Sequence, residues 1–154
     1  MEQVPEQNKN KSIFTTSPEI QERIVASNEL VFAFPTNIPI TPGHLLVCPK
    51  RVVKTVYELT PDELQAMFAM LESLQPALQK EFGATGFNYA WNEGESAGQS
   101  IPHLHIHLVP RKNGDTGITE YEPRKFLYRP GSREETPLKE LQEVTDIIKT
   151  ALKP

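Results

Sequence analysis

The stretch Gln99-Ser-Ile-Pro-His-Leu-His-Ile-His-Leu-Val-Pro-Arg111 decides the fold of this chain, because histidines and aliphatic residues alternate strictly in its middle. An alternation with a period of two is typical of a β-strand with one buried face, and it predicts a strand over residues 103–109. The three histidines then share one face of that strand: His103, His105 and His107. A row of core histidines would need a partner for every polar ring nitrogen. We therefore favour a chemical role for this face over a purely structural one.

The composition is that of an ordinary globular chain. With 154 residues the chain is long enough for one domain with a real core, and its net charge is −4. This mild negative charge argues against nucleic-acid binding through a broad basic surface. A single cysteine excludes an intramolecular disulfide and fits a reducing cytoplasm. No apolar run reaches membrane-spanning length, and the polar start does not resemble a signal peptide. We expect a cytoplasmic protein with neither a membrane nor a nucleic-acid partner.

The order of elements predicts an α+β domain with an antiparallel sheet, one main helix and a C-terminal helix. Residues 1–11 are polar and are interpreted as a flexible arm, and residues 12–154 form the single domain. The predicted elements are strands at 22–26, 30–34, 44–49, 87–91 and 103–109, a helix at 61–82, a loop at 112–135, and a helix capped by Thr136-Pro137.

The main helix has clear signals at both ends. Thr60 and Glu63 make a capping box, and Gly83 supplies the C-terminal stop. Pro76 lies inside this helix and is expected to interrupt and kink it near residues 72–75. Apolar residues at the helical period predict one stripe that packs in the core: Leu64, Met67, Phe68, Leu71, Leu74 and Leu78.

The fourth histidine follows a segment, 35–43, that holds three prolines and reads as a rigid loop. This loop delivers His44 to the start of the strand 44–49. Alternation places His44, Leu46 and Cys48 on one face of that strand. We interpret Cys48 as a small buried apolar residue rather than a catalytic thiol.

Imidazoles on alternate residues admit two kinds of chemistry, and the residues alone leave both open. One is metal binding, since a His-x-His pair supplies two ligands and His44 could join them. The other is nucleophilic catalysis on phosphorus, in which a neutral imidazole attacks and water later releases the covalent intermediate. The amides of Gly98, Gln99 and Ser100 and the hydroxyl of Ser100 form a candidate anion-binding site just before the strand, and they favour the second. His107 and Arg111 are further candidate donors to a phosphate.

The block Ala97-Gly-Gln-Ser-Ile-Pro-His-Leu-His-Ile-His-Leu-Val-Pro-Arg111 resembles the signature of the histidine triad superfamily. Pro42-Gly-His-Leu-Leu-Val-Cys-Pro-Lys50 is similar to that family's upstream block, and the resemblance covers about residues 12 to 111. Ala97-Gly98 and Pro110-Arg111 are most similar to the fragile-histidine-triad branch and its bacterial relatives. The third histidine, His107, separates the chain from the galactose-1-phosphate uridylyltransferase branch, which has glutamine there.

The resemblance implies a role for each histidine. The middle one, His105, is implied to be the nucleophile, and His107 a phosphate ligand. His103 orients its neighbours, and His44 lies beside the triad. Other positions match those that hold the α-phosphate and the leaving group: Asn92, Gly98, Gln99, Ser100 and Ile101. The ribose contact falls at Thr36, where the family usually has Asp or Asn, and the adjacent Asn37 can substitute for it.

The activity implied by the resemblance is hydrolysis at the α-phosphate of dinucleoside polyphosphates or nucleoside phosphoramidates, through a nucleotidyl-histidine intermediate. The alternatives are a nucleotide phosphorylase or transferase, a nucleotide-binding regulator with incidental turnover, and a metalloprotein. The implied fold is a half-barrel sheet that pairs with a second copy in a homodimer. The basic and aromatic loop at 121–133 is a candidate cover for the leaving nucleotide.

One departure from the family bears on metals. Many relatives carry Cys-x-x-Cys, half of a structural zinc site, where this chain has Ser12-Ile-Phe-Thr15. Zinc affinity depends strongly on deprotonated sulfur. We expect no structural metal and no cofactor, although Mg²⁺ can accompany a polyphosphate substrate as its counterion.

Overall fold

The computed structural model describes residues 11–117 and 135–154. Nearly all of the predicted arm at 1–11 and the whole loop at 121–133 lie outside the described residues. The helices are α1 (Ile13–Thr16), α2 (Pro18–Glu22), α3 (Pro61–Phe82) and α4 (Leu138–Leu152). The strands are β1 (Ala26–Ser27), β2 (Val31–Pro35), β3 (Leu45–Pro49), β4 (Gly86–Ala90) and β5 (Ile106–Arg111). Among these described helices, none is long and apolar enough to cross a membrane.

The strands form one antiparallel sheet in the order β1-β2-β3-β5-β4. One face packs against α3 and α4, with Val47, Ile106 and Ile148 in the shared core. The opposite face carries a smaller cluster that includes Phe14 and Phe34. A five-stranded antiparallel sheet with one main helix and a C-terminal helix confirms the predicted α+β class.

The start of α3 matches the prediction in detail. Thr60 accepts from the main-chain N–H of Glu63 at 3.1 Å, and the Glu63 carboxylate accepts from the N–H of Thr60 at 2.9 Å. Arg51 hydrogen-bonds the same carboxylate at 2.7 Å and lowers the pKa of Glu63 to about 2. The helix ends at Gly83, whose φ of +68° is the left-handed conformation that favours glycine.

The buried face of α3 differs from the predicted stripe at two positions. Leu64 and Phe68 are 37% and 52% exposed, because the sheet covers a narrower arc of the helix than the apolar residues occupy. Four residues of the predicted stripe are buried: Met67, Leu71, Leu74 and Leu78. Met70 and Ala77, which lie outside the predicted stripe, are buried as well. The helix runs through Pro76 without a break, so the predicted interruption is wrong. The kink itself stays a prediction.

Most of the strand predicted at 22–26 is not formed, because α2 extends through Glu22 and is followed by a turn at Arg23. Ser17 caps α2 by accepting from the N–H of Ile20, and Pro18 occupies its first position. These signals hold residues 18–22 helical, so that β1 is reduced to Ala26 and Ser27. The prediction of a strand from residue 22 is therefore wrong, although its pairing with β2 is confirmed.

The histidine strand starts later than predicted, at Ile106 instead of residue 103. The N–H of His103 donates to Ile101 at 2.8 Å, and the N–H of Leu104 donates to Val53 at 2.7 Å. These bonds turn the chain before it joins the ladder. The sidedness of the alternation is nevertheless retained, since Leu104, Ile106 and Leu108 are all fully buried in the core.

The C-terminal helix also differs from its prediction at the start. Pro137 is the N-cap of α4 and makes no side-chain cap bond. Thr136 does not cap the helix and instead donates its main-chain N–H to Asn37 at 2.7 Å. Leu141 and Ile148 are buried as the amphipathic pattern predicts, whereas Leu138 is exposed.

Candidate active site

A pocket of about 260 Å³ opens on the aromatic face of the sheet. One row of residues, paired across four neighbouring strands, runs along it. In register these residues are Phe34, Leu46, His107 and Ala90. All four line the pocket, so the pairing of the strands itself places His107 between Leu46 and Ala90.

The ring of His107 is fixed by His44, which is buried beside the start of β3. Ile40 donates its main-chain N–H to Nδ1 of His44 at 3.0 Å, which leaves the ring hydrogen of His44 on Nε2. That Nε2 lies 2.9 Å from Nδ1 of His107 and donates to it. His107 therefore carries its own hydrogen on Nε2, where it can act as a donor.

His105 lines the same pocket, with its ring centroid 5.1 Å from that of His107. Its Nδ1 lies 2.8 Å from the main-chain oxygen of His103. A carbonyl oxygen only accepts, so the hydrogen of His105 is on Nδ1 and the lone pair of the neutral ring is on Nε2. Burial lowers the pKa of His105 from its ordinary value, opposed in part by this bond. A neutral imidazole with an available lone pair is a competent nucleophile.

His103 does not line the pocket, and its side chain is fully buried. Its Nε2 donates to the main-chain oxygen of Pro49 at 2.7 Å, and its Nδ1 lies 2.5 Å from Oγ of Ser12. Burial is the main reason that the pKa of His103 is lowered. His103 therefore reaches the pocket only indirectly, through the carbonyl that holds His105.

Most of the predicted substrate-binding residues line the pocket: Thr36, Asn37, Asn92, Gly98, Ser100 and Ile101. Gln99 does not. Its side chain accepts from the N–H of Gly94 and donates to the carbonyl of Lys54, both at 2.9 Å, and it lines a neighbouring pocket. Gln99 was predicted as a substrate contact, but its side chain instead stabilises the loop by linking Gly94 to Lys54.

The predicted phosphate donors are corrected as well. The amides of Gly98 and Gln99 donate to Glu95 and Gly94 at 3.0 and 3.1 Å, because a short 3-10 turn consumes them. Ser100, next in the run, has no main-chain or hydroxyl partner within the described chain. Among Gly98, Gln99 and Ser100, it is therefore Ser100 whose main-chain N–H and hydroxyl can donate to a ligand.

Arg111 does not reach the pocket either. Its guanidinium is paired with Asp115 at 2.8 Å and donates to the side chain of Asn88 at 3.1 Å. These contacts hold it at the far end of β5, away from the pocket lining. The structure therefore does not place Arg111 as a direct donor in this pocket.

The N-terminal helices form a pocket wall that sequence reasoning missed. Phe14 packs its ring 5.2 Å from that of His105. Arg23 is buried at the same wall, donates Nε to the Pro35 carbonyl at 2.9 Å, and places its guanidinium 5.6 Å from the Phe34 ring centroid. The helix-start signal Ser17-Pro18-Glu19 was available in the sequence and points to this wall.

The residues at the position where many relatives carry Cys-x-x-Cys do not fit zinc. Ser12 and Thr15 present hydroxyls, which bind zinc poorly compared with thiolates. The hydroxyl of Ser12 is already engaged with His103, and that of Thr15 donates to the main-chain oxygen of Ser12 at 3.0 Å. Across residues 11–117 and 135–154, no group of three or more His, Cys, Asp and Glu side chains is placed to hold a metal ion.

Comparison with known proteins gives consistent matches. The model of the HIT domain family matches residues 17–114. A bis(5'-adenosyl)-triphosphatase of Dictyostelium discoideum is 34% identical over 117 residues, which span 76% of this chain and 75% of that protein. An asymmetrical bis(5'-nucleosyl)-tetraphosphatase of Schizosaccharomyces pombe is 35% identical over 105 residues, or 68% of this chain and 58% of that protein.

Solved structures show the same fold. A crystal structure of a HIT-like protein from Bartonella henselae, described as involved in cell-cycle regulation and as holding an unknown ligand, superposes with a TM-score of 0.72. The two chains are 27% identical, and the match covers 92% of this chain and 96% of that one. The similarity in fold therefore extends over nearly all of both chains.

Proposed function

The chain belongs to the HIT domain family, and on that premise we propose that it hydrolyses dinucleoside polyphosphates or nucleoside phosphoramidates at the α-phosphate. The observation that carries this proposal is the pair of neighbouring imidazoles in the pocket. His105 has its lone pair on Nε2, and His107 has its hydrogen on Nε2. One ring is thus suited to attack phosphorus while the next donates to a phosphate oxygen. The names of the Dictyostelium and fission-yeast relatives support the substrate class.

In the first proposed step, Nε2 of His105 attacks the α-phosphorus and forms a P–N bond. The bond from phosphorus to the bridging oxygen, or to the nitrogen of a phosphoramidate, breaks, and the leaving group keeps its electron pair. The N–H of His107 offsets the negative charge that develops on the phosphoryl oxygens.

In the second step, water attacks the same phosphorus and the P–N bond breaks. The nucleoside monophosphate leaves, and the proton lost by water passes through the released ring nitrogen to solvent. His105 returns to the neutral state in which burial holds it.

The ribose contact is assigned to Asn37 in this proposal. The Oγ1 of Thr36 already accepts from the N–H of Ile38 at 3.2 Å, and Thr36 is buried. The side chain of Asn37 lines the pocket and has no hydrogen-bond partner within the described residues. Its amide can bond both ribose hydroxyls, so Asn37→Ala is expected to raise KM more than it lowers kcat.

A turnover panel tests the proposal: diadenosine triphosphate, diadenosine tetraphosphate, adenosine phosphoramidate and an aminoacyl adenylate, each in phosphate-free buffer and in phosphate buffer. Hydrolysis releases AMP in both buffers, and His105→Ala serves as the inactive control. Release of ADP in phosphate buffer would identify a phosphorylase instead. Tight nucleotide binding with negligible turnover of every substrate would identify a binding regulator.

We propose further that the protein is a homodimer. β4 is an edge strand, and the surface beside it exposes Tyr89 and Trp91. The side chain of Gln75 on α3 hydrogen-bonds the Tyr89 hydroxyl. Exposed Phe68 is on the same side of α3 as Gln75, and therefore this side of the helix lies next to the strand edge. An uncovered edge strand with aromatic residues favours pairing with another chain. Light scattering at micromolar concentration should give about 35 kDa, twice the 17.4 kDa of the chain; a value near one chain would exclude the dimer.

A cytoplasmic location is also proposed. Cys48 is a fully buried free thiol whose pKa burial raises well above its ordinary value, so its packing fits a reduced protein. Fractionation of cells of the source organism, followed by immunoblotting, tests this. Recovery in the secreted or membrane fraction would contradict it.

A further inference from the structure

We propose that Ser12 is a positioning residue for the candidate nucleophile, acting through His103. The Oγ of Ser12 lies 2.5 Å from Nδ1 of His103, although 91 residues separate them in sequence. No motif in the sequence marks this serine for such a role. The proposal rests on the function proposed above, because a positioning role has meaning only where His105 reacts.

The direction of the bond follows from the other contacts of the two residues. Nε2 of His103 donates to the carbonyl of Pro49, so the neutral ring has no hydrogen on Nδ1. Nδ1 is therefore the acceptor, and the single hydroxyl hydrogen of Ser12 is directed to it. The oxygen of Ser12 also accepts from the N–H of Phe14 at 3.1 Å, which caps α1. Ser12 thus fixes the tautomer of His103 from one side as Pro49 does from the other.

The effect passes from His103 to His105 through the main chain and through packing. The carbonyl of His103 accepts the Nδ1 hydrogen of His105, which is the bond that leaves the Nε2 lone pair for reaction. Phe14 packs against both rings, with centroids 5.5 Å from His103 and 5.2 Å from His105. If Ser12 loses its hydroxyl, a buried ring nitrogen loses its donor. The ring of His103, and with it the His103 carbonyl that accepts from His105, is then less firmly held.

Ser12 is also the N-cap of α1, so the test must separate capping from positioning. Ser12→Gly removes the hydroxyl while keeping a residue that is almost as good as serine at an N-cap. Ser12→Thr keeps the hydroxyl and should restore function. Thr15→Val is the matched control, because Thr15 forms the other half of the capping box of α1 by accepting from the main-chain N–H of Ser12 at 3.0 Å, and it does not line the pocket.

Two readouts decide the outcome. With a nucleotide substrate, Ser12→Gly is expected to lower kcat about tenfold, the effect of one net hydrogen bond, with KM within twofold of wild type. Ser12→Thr and Thr15→Val should both keep kcat within about twofold. The second readout needs no turnover: in ¹⁵N spectra of the histidine rings, the Nδ1 resonance of His103 should shift in Ser12→Gly and not in Thr15→Val.

Equal losses of kcat in Ser12→Gly and Thr15→Val would show that only the capping of α1 matters and would overturn the proposal. An unchanged His103 resonance in Ser12→Gly would overturn it as well. If no nucleotide is turned over by the wild type, the proposed function fails, and that result is recognised separately because the ring spectra still report whether Ser12 holds His103.

Discussion

His44 donates from Nε2 to Nδ1 of His107 across 2.9 Å, and the N–H of Ile40 in turn donates to the other nitrogen of His44. A main-chain amide of the proline-rich loop thus determines where a pocket histidine carries its hydrogen. The segment 36–44 therefore does more than connect β2 to β3, since it sets the donor that faces a phosphate.

The first prediction concerns this pair. His107→Ala removes one donor to the developing charge and is expected to lower kcat roughly 10²–10³-fold, the range for a single such donor. His44→Ala leaves the donor in place but frees its tautomer, so its loss should be smaller. Steady-state kinetics on the same substrate measures both. A larger loss in His44→Ala than in His107→Ala would contradict the assignment.

The second prediction is the pH dependence of turnover. Burial lowers the pKa of His105 from the ordinary value of 6.5, and only the neutral ring can attack. The rate therefore falls as pH decreases through this lowered pKa, and the acid limb of kcat/KM should have its midpoint below pH 6.5. A midpoint above pH 6.5 would mean that His105 is not the titrating nucleophile.

The third prediction concerns Gly43, which precedes His44 with a φ of +90°. A Cβ at this position would lie 2.8 Å from the ring of Phe82, whereas Gly94, with a φ of +89°, faces open space. Both alanine variants should lose about 1–2 kcal/mol because of the left-handed backbone. Gly43→Ala should lose a further 1–3 kcal/mol or so because of the overlap. Urea unfolding curves test this, and equal losses would refute the proposed clash.

A fourth prediction is that the protein needs no structural metal. Ser12 and Thr15 provide hydroxyls in place of thiolates, and their hydroxyls are engaged within the protein. Elemental analysis of the purified protein should find zinc well below one atom per chain, and the thermal midpoint should not change with a chelator. Stoichiometric zinc together with unfolding on chelation would contradict this.

The sheet and α3 could be predicted from sequence because their signals are local. Alternating residues fix the faces of β3 and β5, and the capping box at Thr60 fixes the start of α3. Leu64 and Phe68 were predicted to be buried and are exposed. The helical period shows which residues share a face, but it does not show how wide an arc of α3 the sheet will cover. The strand predicted at 22–26 began too early, because the helix-start signal at Ser17 and Pro18, which carries α2 through Glu22, was not considered.

The three triad histidines were predicted to share one face, and of these His105 and His107 line the pocket whereas His103 does not. Their individual environments depend on contacts between distant segments. The burial of His103 depends on Ser12 and Pro49, which are 91 and 54 residues away in sequence. The amides of Gly98 and Gln99 look available in the sequence, and only the turn at Glu95–Ala97 shows that they are used. Arg23 gave no signal, because a lone arginine in sequence says nothing about burial beside a pocket.

The central claim is that His105, and neither of the other triad histidines, carries the covalent nucleotide. The hydrogen bond from its Nδ1 to the carbonyl of His103 leaves Nε2 as the reactive atom, whereas both ring nitrogens of His103 are engaged elsewhere. The direct measurement is rapid acid-free quenching with a substrate labelled at the α-phosphate, followed by peptide mapping. We expect label on His105 alone, and no label or turnover in a folded His105→Ala variant that still binds nucleotide. Label on His103 or His107, or full activity in His105→Ala, would contradict it.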